Sequence, residues 1–506
     1  MKHYLTVVFL LAAVASQAQD SLSSLSSRLQ EDNRLSEHFS FVDEEYLTAK
    51  IFRQSYSLTQ VSLSGNYHAE SQPILLQSGK NKWGGAFNAS SYQLLKPQIR
   101  LWGEAMYKNG VKEDVLWNES SDLEIIYPYI SADSIGGNIN SETYFFRGGY
   151  AQERNKWIWA AEVQYRALLE HRKVDPRPKN TVADFQVKLG VGRNVFSDYV
   201  LMLSASTRRY KQRGSLQYYS VQGNGRTYHL TGLGMDYVRF SGTNNSVSYK
   251  GLAGGALLSF LPKSKSGYHF SVDYDYFSLE KILVDLNSLP MSHLKTHQIN
   301  LFFAWTDGNA SSKWGIKTFG KILLQNGTEN VFGDPANNVY LQISSSDMYQ
   351  CDKFSAELAG FYEWGKQEKL VCYLQPKVSY ANSMEKYVYP EREVAAKHII
   401  PALDFNISLP LRKTMLSLII HGEYALNIDK HTLLTDLAPT DQTYNLTMNI
   451  IDFRQSDYLT THINLRCDIA SGDKLLFFLQ GGWQYYHYKT SNAKVQSVRL
   501  AFGIVL

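Results

Sequence analysis

Apolar and polar residues alternate along almost the whole chain. In the stretch from Glu142 to Ala167, Tyr144, Phe146, Gly148 and Tyr150 fall on one face, with Phe145, Arg147, Gly149 and Ala151 on the other. After the polar knot "ERNK", Trp157, Trp159, Ala161, Val163 and Tyr165 alternate with Ile158, Ala160, Glu162, Gln164 and Arg166. A period of two marks strands, and the short polar break marks a hairpin turn. The unit recurs in "SGYHFSVDYDYFSL" and "YLTTHINLRCDI", one face apolar and the other wet.

The alternation runs for about 9 to 13 residues at a time, where strands of a soluble sandwich average about 5 or 6; a tilted strand crossing a bilayer needs the longer figure. In lipid the apolar face points outward and the polar face lines a closed lumen, because an open strand edge would leave backbone groups unpaired in hydrocarbon. About eighteen such strands can be traced from residue 56 to 506, with 16 to 18 as the range, an even number as single-chain barrels require. Short connections such as "ERNK", "NVFSD", "PKSKSG", "PLRK" and "ASGDK" alternate with long stretches at 110–141, 212–245, 325–352 and 428–456. The pattern predicts an all-β transmembrane antiparallel barrel with short periplasmic turns and long extracellular loops, placed in a bacterial outer membrane. Trp83, Tyr107, Trp157, Tyr276, Trp305, Trp314, Trp364 and Tyr485, near strand ends, would form its interfacial girdles. The last strand, "VRLAFGIVL", would end in the periplasm with Val498, Leu500, Phe502, Ile504 and Leu506 facing lipid.

Composition agrees: 13% aromatic residues, 34 Tyr, 13 Pro and 19% charged residues describe a chain rich in strand formers and poor in solvating charge. A net charge of +4 without a basic run gives no reason to expect nucleic acid. Lys2 and His3, the apolar Leu5 to Val14, and the small Ser16 and Ala18 read as a secretory signal over 1–18. Residues 19–55 read as a short periplasmic segment and 56–506 as the barrel. No later segment is long and apolar enough for a membrane-spanning helix. Cys351, Cys372 and Cys467 are too few and too scattered for a disulfide framework.

The signal ending "ASQAQD", the first hairpin "KWGGAFNASSYQLL", and "EVQYRALLEHRKVDPRPKNTVADFQVKLGVG", a strand leading into an Arg-Pro-rich loop and back, resemble an uncharacterised family of Bacteroidota outer-membrane β-barrels, a domain of unknown function. The resemblance covers nearly all of the mature chain. It implies an outer-membrane barrel encoded near TonB-dependent receptors, and so a link to nutrient uptake.

Alternation points Arg100, Glu104, Arg147, Glu162, Arg166, Lys188, Arg208, Asp273, Asp275, Lys317, Lys321, Glu357, Glu363, Lys377, Asp404, His421, Glu423, Arg466 and Arg499 into the lumen. Either these charges pair across neighbouring strands and fill the interior, or they line a pore and set its selectivity. A channel or accessory barrel for small-solute uptake is the expected function. Outer-membrane lipid, lipopolysaccharide, the barrel-assembly machinery, and a TonB-dependent receptor or other uptake component are the expected partners; nucleic acid is not. The roughly 37 residues before the first strand are too few for a receptor plug of well over 100 residues.

A rim hydrolase or a surface-display barrel are the alternatives. His421 and Glu423 share a lumen face, as do His269, Asp273 and Asp275, but residues two apart on a strand lie about 7 Å apart, too far for a direct hydrogen bond without a favourable lean. "VQGNGRTYHL" (Gly223, Asn224, Gly225, Arg226, His229) reads as an Asn-Gly turn in a loop rather than a catalytic element. Asp273 with Asp275 supply only two ligands, and His293 and His297 have a spacing suited to a helix in a region that reads as strand, so no metal or cofactor is expected. No catalytic residue is assigned.

Overall fold

The computed structural model describes residues 25–39, 46–220, 225–242, 246–264, 266–309, 311–337, 339–366, 369–472 and 474–506; the signal sequence read at 1–18 lies outside them. In chain order the strands are β1 (Leu58–Glu70), β2 (Asn81–Lys96), β3 (Ile99–Val115), β4 (Ser131–Ala132), β5 (Gly137–Arg154), β6 (Trp157–Arg172), β7 (Arg177–Val195), β8 (Tyr199–Gln217), β9 (Tyr228–Gly232), β10 (Met235–Asp236), β11 (Val247–Pro262), β12 (Gly267–Leu283), β13 (Leu289–Asn309), β14 (Ser312–Phe332), β15 (Gln342–Gly365), β16 (Val371–Tyr387), β17 (Arg392–Leu411), β18 (Thr414–Leu434), β19 (Tyr458–Ala470), β20 (Leu476–Tyr488) and β21 (Ala493–Val505). All but β4, β9 and β10 form one eighteen-stranded antiparallel sheet. It closes on itself where β1 meets β21, with Leu63 opposite Phe502 and Tyr67 opposite Val498. The eighteen expected strands are thus the eighteen of the barrel.

Side chains on one face of every strand stand in the open. Phe146, Val163, Leu189, Leu203, Leu252, Phe270, Leu301, Leu403, Leu465, Leu479, Leu500 and Phe502 are all exposed large apolar residues. A soluble protein leaves at most a few hundred Å² of contiguous apolar surface, whereas this belt circles the whole sheet, so its solvent is lipid. Aromatic rings rim the belt: Trp305 packs edge-on against Trp314 at 4.5 Å near one end, and Tyr107 meets Tyr144 at 4.9 Å near the other. On β12, Tyr268 and Tyr276 are eight residues apart, about 27 Å of strand, enough to reach both interfaces once tilted.

The barrel strands run from 13 to 24 residues. Crossing takes only about 9 to 11, and the surplus rises on the long-loop side. Most of 325–352, and the ends of 110–141, 212–245 and 428–456, expected as loop, are therefore strand whose alternation fades above the membrane while backbone pairing continues. What remains as outer loop among the described residues is chiefly 116–136, 218–220, 225–242 and 435–457. These carry the small sheet of β4, β9 and β10, where Ser131 faces His229 and Met235 faces Gly232, and the helix Tyr444–Gln455.

The outward face predicts a test. Leu301→Arg, placing a cation in the belt, lowers stability against urea in lipid vesicles by about 2–4 kcal/mol, the cost of Arg on a lipid-facing barrel site near midplane. Gln298→Arg, on the inner face of the same strand, costs much less.

Candidate functional site

The described part of the chain before the barrel lies against its inner wall. Leu25 and Leu29, from the helix Leu25–Asp32, share a core with Tyr56, Met415, Leu476, Phe478, Ala501 and Val505. Leu35 and Phe39 pack on Ala359, Phe361 and Tyr373. Tyr46, Leu47, Ala49 and Ile51 pack on Ala151, Ile158, Ala160, Val200, Met202, Leu257 and Leu261. These wall positions border the short turns, so the segment crosses the periplasmic mouth and touches three well-separated arcs of it.

Charge fixes it further. Lys50 Nζ donates to Glu162 Oε2 at 2.9 Å, and Trp102 Nε1 donates to the same oxygen at 2.6 Å. Trp102 can lie there because its neighbour across the strand pair is Gly149, where a Cβ would sit 2.2 Å from the indole. Arg34 reaches Glu363 at 2.7 Å, Glu37 pairs with Lys313, and Lys317 Nζ lies 4.8 Å from the centre of the Phe39 ring. Both carboxylates, Glu162 and Glu363, are almost wholly buried. Residues 19–55, read as a periplasmic segment, therefore enter the barrel wherever they are described. An eighteen-stranded lumen is too wide for its own side chains to fill, and the wall is where the described apolar residues of this segment are buried.

The outer loops fold inward at the opposite end. Trp117, Ile126, Tyr129, Ile130, Tyr228, Leu230, Leu233, Phe240, Leu446, Ile450 and Ile451 form one core with inward residues of the wall, among them Leu168, Tyr210, Tyr249, Leu279, Leu294, Tyr349, Tyr387 and Val394. Asp122 receives a two-pronged grip from Arg166, at 2.9 and 2.7 Å, and Asp184 in turn joins Arg166 to Arg208. Arg172 and Asp133 form a fully buried pair at 3.0 Å, and Arg454 of the outer helix pairs with Glu385. Burial, with Asp133 beside it, pushes the Glu119 carboxyl well above the usual carboxylate range. Burial, and secondarily the charge of Lys281, hold His229 well below the ordinary imidazole value.

Between these layers the wall carries the remaining charges. Arg147 pairs with Glu104 at 2.5 Å and Arg466 with Asp468 at 2.8 Å. His421 is held between two carboxylates, Nδ1 at 2.6 Å from Asp404 and Nε2 at 3.4 Å from Glu423, and its ring lies 5.2 Å from that of His462, which bonds Tyr486. Glu357 lies 3.9 Å from Lys317, Asp273 accepts from Asn300 at 2.9 Å, and Arg100 donates to the carbonyls of Lys96, Pro97 and Ile99. Lys188 and Asp275 are also engaged. Among the described residues Lys321, Lys377 and Arg499 have no ion-pair partner, and neither does Lys353, which shares the inner face with Cys351 and Glu357. Reasoning from alternation missed Lys353 because it stands at the first position of its expected strand, and it missed Arg34, Lys50 and Asp122 because none of them lies on a barrel strand.

Among the described residues hydrolytic chemistry finds no assembled set. Both nitrogens of His421 face carboxylates and neither meets a hydroxyl, so the lean that alternation could not foresee makes a carboxylate clamp rather than a nucleophile–base pair. His229 lies 3.5 Å from Ser131 Oγ in the sealed outer core, and Gly223 and Asn224 lie outside the described residues. His269 packs edge-on against Tyr46 of the N-terminal segment. His293 bonds Ser278 and His297 bonds Tyr274.

Lipid-facing belt, aromatic rims and closed antiparallel sheet together define a transmembrane β-barrel of the bacterial outer membrane. Its family is equally clear: residues 47–506 match the model of a family of unknown function, DUF6850, and the chain belongs to it. No curated protein matches the chain. Among solved structures it is similar to the outer-membrane transporter YddB of Escherichia coli (8% identity, 88% of this chain and 80% of that one, TM-score 0.40), to BauA, the ferric preacinetobactin receptor of Acinetobacter baumannii (7%, 88% and 79%, 0.39), and to OccK1 (OpdK) of Pseudomonas aeruginosa (10%, 89% and 98%, 0.34). The fold rests on this chain's own pairings, and no ligand is carried over from these proteins.

The buried imidazole predicts a pH response of the outer layer. In the fold His229 resists a proton that it accepts near its ordinary 6.5 once released, so protection of residues 225–242 falls as pH drops below that value, by up to about tenfold per pH unit. Glu119 acts in the opposite sense. The contribution of His229 is therefore read as the difference in hydrogen exchange, corrected for intrinsic rate, between the native protein and His229→Asn, which lacks the titration.

Proposed function

We propose that this protein is an outer-membrane barrel for uptake of a small solute, closed at rest, whose periplasmic mouth opens when residues 25–39 and 46–57 are displaced. The observation that carries the reading is how the segment is held. Its apolar contacts are split among three small clusters, and its charged anchors include two buried ion pairs, Lys50 with Glu162 and Arg34 with Glu363, beside the more exposed pair of Glu37 with Lys313. A permanent filler is expected to form one continuous core with the wall, as the outer loops do. A removable one can be held by separate latches, because breaking a buried pair by removing one partner costs several kcal/mol and so loosens the whole. The small-solute assignment is supported by the charged wall between the two layers. Outer-membrane lipid and lipopolysaccharide surround the belt, the assembly machinery inserts it, and a periplasmic or TonB-dependent uptake component is the partner that would pull the segment aside.

Bilayer recordings test this. The native barrel conducts little. Charge reversal at both latches, Arg34→Glu with Lys50→Glu, yields stable conductance steps, and adding Glu363→Lys with Glu162→Lys returns it to silence. Steady conductance by the native protein, or silence of the folded double-reversal variant, would overturn the reading.

A further inference from the structure

We propose that the solute is an anion, drawn along a track of lysine ammoniums on the inner wall of β14, β15 and β16; the proposal rests on the uptake reading above. Lys317 on β14 and Lys377 on β16 stand opposite the same residue, Ala359 of β15, one from each side. Lys321 is one pair of residues short of Lys353 in the same register: it faces Ser355, and Lys353 lies two residues further toward the outer surface. From the level of Ala359 to that of Lys353 is six residues, about 20 Å of strand at about 3.4 Å per residue. Four cations therefore climb one stripe of wall, from the layer made by the N-terminal segment to the layer made by the outer loops.

Of the acids near this stripe, Glu357 is taken up by Lys317 within it and the others are occupied elsewhere. Asp404 and Glu423 are both turned to His421. Glu357 lies against Lys317. Asp273, two strands from Lys321 along a row that runs through Asn300, is hydrogen-bonded to that Asn300. Lys321, Lys353 and Lys377 are left with no ion-pair partner among the described residues, though a barrel wall that exists only to fill space pairs its charges across strands. The foot of the track is covered from the other side: Lys317 lies over the Phe39 ring of the segment whose displacement opens the mouth. Opening thus uncovers one of the two lowest cations of the stripe. Ammonium groups on flexible stems suit a carboxylate or phosphate that passes from one to the next, since each is a hydrated point charge with rotatable donors rather than a rigid fork that grips one geometry.

The test uses the full chain with the Arg34→Glu and Lys50→Glu substitutions. Arabinose entry into vesicles reports whether the path opens at all, and the reversal potential in gradients of potassium succinate and potassium phosphate reports which ion it prefers. Arabinose enters and the anions carry most of the current; Lys321→Gln, Lys353→Gln and Lys377→Gln together lower the anion-to-potassium permeability ratio by about fivefold or more, the effect of losing close charge contacts in water, while the Lys→Arg triple keeps it. Preference for only one of the two anions narrows the class to carboxylates or phosphates. Arabinose entry without anion preference, or a preference unmoved by the Gln triple, overturns the track and leaves the uptake reading standing. No entry of any solute through folded protein overturns both.

Discussion

Hydrocarbon cannot hydrogen-bond a peptide group, and everything else in this molecule follows from that. Each strand must satisfy its backbone on two neighbours, so the sheet has to return to its start, and β1 must find β21. Closure fixes the side-chain code as well. Once every N–H and C=O is committed sideways, only the direction in or out is left for the side chain, and lipid decides which residues go out. The aromatic and aliphatic residues that would make a poor soluble surface are here the correct one.

Closing eighteen strands creates a second demand, for something to occupy the space enclosed. The chain meets it from both ends with different materials. The outer loops bring a large apolar core, continuous with ten strands of wall and clamped by arginine–carboxylate pairs deep enough that His229 and Glu119 are held away from their ordinary titration ranges. The N-terminal segment brings three small patches and two buried ion pairs. One end is built as a core and the other as a set of fastenings, the asymmetry on which the proposed opening rests.

The wall was legible in the sequence because the code of alternation is local: Tyr144 and Arg147 announce their faces from their immediate neighbours. The strand count, the direction of the termini and the two lengths of connection follow from the same signal. The filling was not legible, because it depends on pairs far apart in the chain. Nothing near Lys50 points to Glu162, and nothing near Asp122 points to Arg166 and Arg208. Leu25, Leu29, Tyr46, Leu47 and Ile51 did carry a signal, since so many apolar side chains in a short tail need a surface. Which surface could be known only once the barrel had closed around them. In the same way the spacing of His421 and Glu423 argued against contact, and contact arises because Asp404, on the next strand, turns the ring.

The lid is continuous with the seam. Only Ser57 separates Tyr56, which packs with Leu25 and Leu29 against the inner wall, from the first residue of β1, and β1 is one side of the closure. A segment pulled aside therefore stays tied to the rim of its own mouth, and its return is intramolecular. A short tether of this kind keeps a group at an effective concentration of order millimolar, whatever the dilution outside. On the proposed reading, whatever opens the barrel must go on holding it open, and lets it shut simply by letting go.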